Sequence, residues 1–160
     1  MHTLVLLRHA KSDWTHDVGD LDRPLGDRGR RQASEAGRWL GTNIADIDLA
    51  VVSPARRARS TWELAAAELD SPPETRIDER VYAASDRELL AMVRELPEEC
   101  RTAVVVGHNP GLEELLTLLT GTWASMTTSA IAVVDLQGGW ATAGDGTSSL
   151  RAAGRPPAGG

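Results

Sequence analysis

The chain has 160 residues, 41% of them hydrophobic and 25% charged, with a formal net charge of -6. Those proportions fit one soluble globular domain, long enough to bury roughly two thirds of its unfolded surface, and the acidic balance argues against a nucleic-acid surface. No apolar run reaches membrane-spanning length, and a single cysteine, Cys100, allows no intramolecular disulfide and fits a cytoplasmic, reducing setting. Cys100 follows Glu98 and Glu99, a poor setting for a thiolate, and is read as inert. Phe is absent, so Leu, Val, Ala, Ile and Trp must build the core, and among 17 basic residues Lys11 is the only lysine.

Strand and helix signals alternate along the chain. Thr3–Arg8 reads as a buried strand, because Leu4, Val5, Leu6 and Leu7 form an unbroken aliphatic run. Residues 10–26 form a polar loop holding Asp13, Asp17, Asp20 and Asp22. Asp27 is expected to cap a helix that ends at Gly41. Leu49–Ser53 is a second buried strand, followed by Pro54 and an Ala-rich helix to about Leu69. Glu74–Ile77 is a short third strand, and Ser85 with Glu88 forms a capping box for a helix stopping before Pro97. Thr102–Gly107 is the most strand-like segment; Asn109 as N-cap and Pro110 at the first helical position then open a helix ending near Gly121. Ala130–Leu136 is a further strand, and Gly138-Gly139 turns toward a weak one near Ser148–Ala152. Strands separated by helices predict an α/β fold: three layers, with a mainly parallel central sheet and helices on both faces. One domain is expected over residues 1–153, with a disordered Pro/Gly-rich tail over 154–160.

Three strand-to-helix junctions carry the chemistry. In a helix-covered sheet such exits converge on one crevice. The first is Arg8-His9. Arg8 offers a rigid donor fork for phosphate or carboxylate, and His9 is a nucleophile when neutral. Alone, the pair also fits a surface ion pair. The second junction puts Arg56, Arg57 and Arg59 on the opening turns of a helix, where backbone N–H groups already favour anions. The third is Gly107-His108-Asn109-Pro110-Gly111, at the end of the most apolar strand. A metal centre is the rival reading. Arginines beside both histidines would repel a cation, and neither histidine belongs to a pair spaced by three or four residues. An oxyanion pocket is the better account, and no Gly-rich P-loop with Lys-Ser/Thr is present.

These motifs resemble the histidine phosphatase superfamily. Arg8-His9-Ala10, with Ser12 and Trp14, resembles its Arg-His-Gly signature and departs from it at Ala10. Ser53-Pro54 with Arg57-Ala58 and Thr61 is similar to its second arginine motif, and Val106-Gly107-His108-Asn109-Pro110 to its second histidine motif. The Asp22-Arg23-Pro24-Leu25 entry, Gly29 and the segment Thr127–Ala132 are most similar to SixA-type phosphohistidine phosphatases. The resemblance implies a phosphoglycerate mutase-like fold and attack on phosphorus by neutral His9, giving a phosphohistidine that water hydrolyses. It assigns catalysis to His9, Arg8, Arg57 and His108, and substrate contacts to Ser12 and Asn109. Ile77–Tyr82 is similar to the acid-bearing segment of phosphoglycerate mutases, which implies Glu79 as general acid; pairing with a surface arginine is the alternative for Glu79. No metal or other cofactor is expected. The expected substrate is phosphohistidine in a protein; a small phosphate ester, or phosphate binding without turnover, are the alternatives. Neither nucleic acid nor membrane is expected as a partner.

Overall fold

Strand β1 (His2–Arg8) is apolar on both faces because both faces of the sheet are covered. Leu4 and Leu6 point into one core, with Leu89, Leu90 and Val93 of helix α3 (Asp86–Arg94) and Leu112, Leu115 and Leu119 of α4 (Gly111–Thr120). Val5 and Leu7 point into the other, with Ala36 and Leu40 of α1 (Asp27–Asn43) and Ala58, Trp62 and Ala65 of α2 (Arg56–Ala66). The same alternation runs through β2 (Leu49–Val52), β4 (Thr102–Gly107) and β5 (Ile131–Leu136). The remaining strands are β3 (Glu74–Ile77) and β6 (Ser148–Gly154). This is a computed structural model, and it describes residues 2–156.

The six strands form one mixed sheet in the order β3-β2-β4-β1-β5-β6. The first four are parallel, β5 is antiparallel to β1, and β6 is antiparallel to β5. Because β2, β4 and β1 are neighbours, their carboxyl ends lie side by side. Arg8 pairs with Gly107 in the β1–β4 ladder, so the next residues, His9 and His108, leave the sheet together. Helices α1 and α2 pack closely at Gly37, where an added Cβ would collide with the Ala65 carbonyl. Among the described residues no helix is long and apolar enough to cross a membrane.

Several element ends differ from the sequence reading. Asp27 is the first helical residue and not the cap; Gly26 takes that place, and the Asp27 carboxylate instead accepts from Arg30. Helix α1 runs past Gly41 to Asn43, and Gly41 lies against Glu68 and Leu69 in the turn that follows α2. Helix α2 ends at Ala66, and the chain to Leu69 tightens into i→i+3 turns. Pro110 is the cap of α4 and not its first helical residue. Asn109 still accepts from the Glu113 amide, at 3.3 Å, but its NH₂ is turned away to the Met126 carbonyl. The chain beyond residue 153 is partly structured: Gly154 closes β6, and Arg155 donates to Thr128. Residues 157–160 of the expected tail lie outside the described residues.

Candidate active site

Segment Arg8–Lys11 is fixed from three sides. The Ala10 amide donates to Thr61 Oγ1 at 2.9 Å, and Thr61 donates in turn to the Arg57 carbonyl at 2.7 Å. The Lys11 amide donates to Gln32 Oε1 at 3.0 Å, and the Ser129 amide donates to the Arg8 and His9 carbonyls. Helix α1 comes close enough here that a Cβ at Gly29 would strike the Lys11 carbonyl, so only glycine fits.

His9 is buried. Its Nδ1 lies 2.8 Å from the Ala10 carbonyl, and a carbonyl can only accept. The proton therefore sits on Nδ1, and the lone pair of Nε2 is left unprotonated. Burial, reinforced by Arg57 and Arg8, lowers the His9 pKa to about 4. His108 stands beside it, with ring centroids 5.1 Å apart. Its Nε2 lies 2.7 Å from Ser53 Oγ, and its Nδ1 lies 3.5 Å from Arg57 Nη2. Since guanidinium can only donate, Nδ1 is the acceptor and Nε2–H points to Ser53. Burial first, then His9 and Arg57, lowers the His108 pKa to about 3.

Two arginines flank the imidazoles. Arg57 is inward-facing on α2 and donates to the Asp20 carbonyl at 2.7 Å and to Asp20 Oδ2 at 3.0 Å. Arg59 is exposed and donates to the Pro54 carbonyl. Arg8 donates through Nη1 to the Met126 carbonyl at 3.1 Å. Its Nε is buried and has no hydrogen-bond partner among the described residues.

The structure thus brings Arg8, His9, Arg57 and His108 together. Asn109 is adjacent, with its NH₂ donating to the Met126 carbonyl and its Oδ1 accepting from the Glu113 amide, which ties down the loop. Ser12 sits in a backbone bridge to Leu25 and has no side-chain hydrogen bond to these four groups. Glu79 is exposed in the 3-10 turn Glu79–Val81, and among the described residues its carboxylate has no hydrogen bond or ion pair. The surface arginine beside it, Arg80, pairs instead with Asp78 and Glu95.

Two residues at the centre escape the sequence reading. Asp20 bonds both Arg57 and the Tyr82 hydroxyl, and those bonds hold its carboxyl below the usual range, the Tyr82 bond most strongly. Tyr82 also sets its ring edge-on to His108, with centroids 5.5 Å apart. The only signal for Asp20 is its membership of an Asp-rich loop, which does not separate it from Asp13, Asp17 or Asp22.

The motif resemblance implies a histidine phosphatase, and comparison with known proteins agrees on that family. A family model of the histidine phosphatase superfamily (branch 1) matches residues 4–84. An uncharacterized protein of Mycobacterium tuberculosis, Rv1276c, is 36% identical over 155 residues, covering 90% of this chain and 96% of its own. The chain belongs to the histidine phosphatase superfamily. Within it the resemblance is to SixA-type proteins. The putative phosphohistidine phosphatase SixA from Nakamurella multipartitia superposes with a TM-score of 0.87 at 29% identity, covering 98% of this chain and 96% of that one. The protein histidine phosphatase SixA complexed with tungstate has the same fold, with a TM-score of 0.82 at 24% identity over 94% of this chain and 95% of that one.

Proposed function

We propose that this protein is a metal-independent phosphatase that removes the phosphoryl group from phosphohistidine in a protein, with His9 as nucleophile. The observation that carries the reading is the His9 hydrogen bond to the Ala10 carbonyl, which leaves Nε2 unprotonated between Arg8 and Arg57. In the first step Nε2 attacks phosphorus, the bond from phosphorus to the leaving imidazole nitrogen breaks, and that nitrogen takes a proton from solvent. Water then attacks the phosphoryl group on His9, releasing inorganic phosphate and free His9. Arg8 and Arg57 hold the equatorial oxygens and offset the charge that develops on them. An arriving dianion raises the pKa of both imidazoles. Once protonated, His108 donates from Nδ1 where it now accepts, and so adds a hydrogen bond to the transferring group.

The choice of phosphohistidine rests on the leaving group. An imidazole leaves with little help, whereas an alkoxide needs a positioned acid. The carboxylate bonded to Arg57 is Asp20, and its hydrogen bonds to Tyr82 and Arg57 favour the ionised form, which cannot donate a proton. Cytoplasmic action is proposed from the lone Cys100, which is buried and whose pKa burial raises to about 11. The test is a panel of phosphohistidine peptide, phosphoserine peptide, sugar phosphate and p-nitrophenyl phosphate, each with excess EDTA. Phosphohistidine peptide should be hydrolysed fastest, with no loss to EDTA. Faster turnover of a sugar phosphate would favour the small-molecule reading. Loss with EDTA that a divalent ion restores would overturn the metal-independent mechanism.

A further inference from the structure

Past His108, a groove of about 360 Å³ runs along α4, between the start of α3 and the loop that follows α4. Its apolar lining is Pro110, Leu118 and Trp123, and its walls carry Asp86, Glu113 and Glu114. Trp123 is 65% exposed, unusual for so large an apolar side chain. Among the described residues none of the three carboxylates is within ion-pair distance of a cation, although Glu113 lies in the field of Arg8, which leaves Asp86 and Glu114 as the freer charges. Asp86 accepts only from the Arg87 amide, and the Arg87 guanidinium turns instead to Asp145. The groove is joined to the phosphoryl pocket through two links. Pro110 follows His108-Asn109 directly, and Glu113 accepts from the Met126 amide, while the Met126 carbonyl accepts from Arg8 and Asn109.

Resting on the phosphatase reading above, we propose that this groove binds the polypeptide flanking the phosphorylated residue of a protein substrate, and selects a segment that is cationic and apolar. Charge complementarity selects the cation. The unpaired carboxylates attract lysine or arginine, and they repel the acidic segment that the arginines of the phosphoryl pocket would otherwise draw in. An aliphatic or aromatic side chain then covers Trp123 and Leu118 and removes exposed apolar surface from water. From Glu113 to Leu118 the helix advances about 7 Å, room for roughly two extended residues, so recognition is confined to a short flank. A second hollow, lined by Arg28, Arg31, Gln32, Glu35 and Arg155, is on balance positive, and its Arg155 also acts on Arg8.

The experiment has a binding arm and a turnover arm. In the first, fluorescein-labelled unphosphorylated lysine–leucine, lysine–glycine and glutamate–leucine peptides are titrated by anisotropy into wild type, Trp123→Ala and Glu114→Lys. The lysine–leucine peptide should bind tightest, and each substitution should weaken it about tenfold, as for loss of an anchor or reversal of a wall charge. Equal binding of the lysine–glycine peptide would reduce the effect to diffuse charge and overturn the proposal. Preference for the glutamate–leucine peptide would move recognition to the arginine side and also overturn it. In the second arm, kcat/KM is measured for free phosphohistidine and for the same group in a lysine–leucine flank. Both variants should lose about tenfold on the flanked substrate and nothing on the free one. Normal turnover with no dependence on flank or variant removes the groove and leaves the phosphatase. Variant-sensitive peptide binding with no phosphohistidine hydrolysis keeps the groove and removes the phosphohistidine assignment. Matching thermal midpoints for both variants show that neither effect is unfolding.

Discussion

The exits of β1 and β4 deliver the same residue type to the same place, and hydrogen bonding makes the two residues chemically different. His9 ties Nδ1 to a carbonyl of its own loop and leaves Nε2 with a lone pair and, among the described residues, no partner. His108 engages both nitrogens, one with Ser53 and one with Arg57. Burial lowers both pKa values, so protonation does not separate the roles. On the proposed mechanism, what marks His9 rather than His108 as nucleophile is the partner of its other nitrogen, a property of the loop and not of residue type or exposure.

The strongest way to break that comparison is to remove each histidine in turn. His9→Ala should lower turnover by on the order of 10⁴ or more, the scale of losing a nucleophile. Under an alkaline denaturing quench, labelled substrate should leave label on wild type and none on His9→Ala. His108→Ala should keep the label while reacting about 10²–10³ times more slowly, as for a lost oxyanion donor. Label on His108 in wild type would exchange the two roles.

Arg57 acts on both histidines, so it sharpens the comparison next. Arg57→Ala should cost on the order of 10² in kcat/KM, and Arg59→Ala less than about threefold. The two positions are roughly 200° apart on a helix, and here one is buried against Asp20 while the other bonds the Pro54 carbonyl. Equal losses would mean that α2 presents a different face in solution.

That contrast was legible beforehand, because helical periodicity lets only one of these arginines face inward. The sheet was legible for a similar reason. Leu4–Leu7 and Ala103–Val106 are unbroken apolar runs, which occur where both faces of a strand are covered. Their exits carry Arg8-His9 and His108, and parallel pairing brings these together. What was illegible depends on irregular backbone. Asp20 lies in a loop where one aspartate looks like the next, and only the folded loop selects it for Arg57. The Met126 carbonyl, which receives Arg8 and Asn109, is a backbone atom that any residue could supply. Helix α4 starts one residue later than the motif suggests, with Pro110 as its cap. The motif points to Asn109 as a substrate contact, and what it does not reveal is that one N–H of this amide also holds the Met126 carbonyl.

Protonation gives a third test, with a smaller effect over the usual pH range. The pKa of both histidines falls from an ordinary 6.5, to about 4 for His9 and about 3 for His108. In the free enzyme kcat/KM should therefore stay level down to about pH 5 on the acid side, then fall tenfold per unit below about 4 as His9 protonates. Stability moves in the same direction. The unfolded chain takes up protons at these histidines below 6.5 while the folded one does not, so their contribution is full above 6.5 and is lost as pH falls toward the folded values. An acidic limb near pH 6.5 would mean that His9 is solvated and not held neutral by burial.

Asp20→Asn should change binding by a few-fold only. The Asp20 carboxylate and a phosphoryl group compete for the same Arg57 donors, so removing its charge should tighten inhibition by inorganic phosphate about three- to fivefold. Weaker inhibition would show that Asp20 holds Arg57 in place for the anion and does not compete with it.

The smallest effect is expected at Glu79, and it separates two leaving groups. Motif similarity implies an acid here, yet the side chain is exposed and unpaired among the described residues, away from the histidine pair in hydrogen-bond terms. A phosphohistidine leaves as an imidazole and needs little protonation in the transition state, so Glu79→Gln should change its hydrolysis by less than about twofold. An alkyl phosphate leaves as an alkoxide, and there an acid contributes ~10²–10⁴. If Glu79 swings in with such a substrate, Glu79→Gln should depress alkyl phosphate hydrolysis selectively and remove the basic limb of its pH profile. If it stays on the surface, both substrates should be unaffected and the thermal midpoint unchanged. Equal and large losses on both substrates, with the midpoint unchanged, would contradict both the exposed placement and the argument from the leaving group, because a side chain outside the pocket cannot slow a reaction that needs no acid.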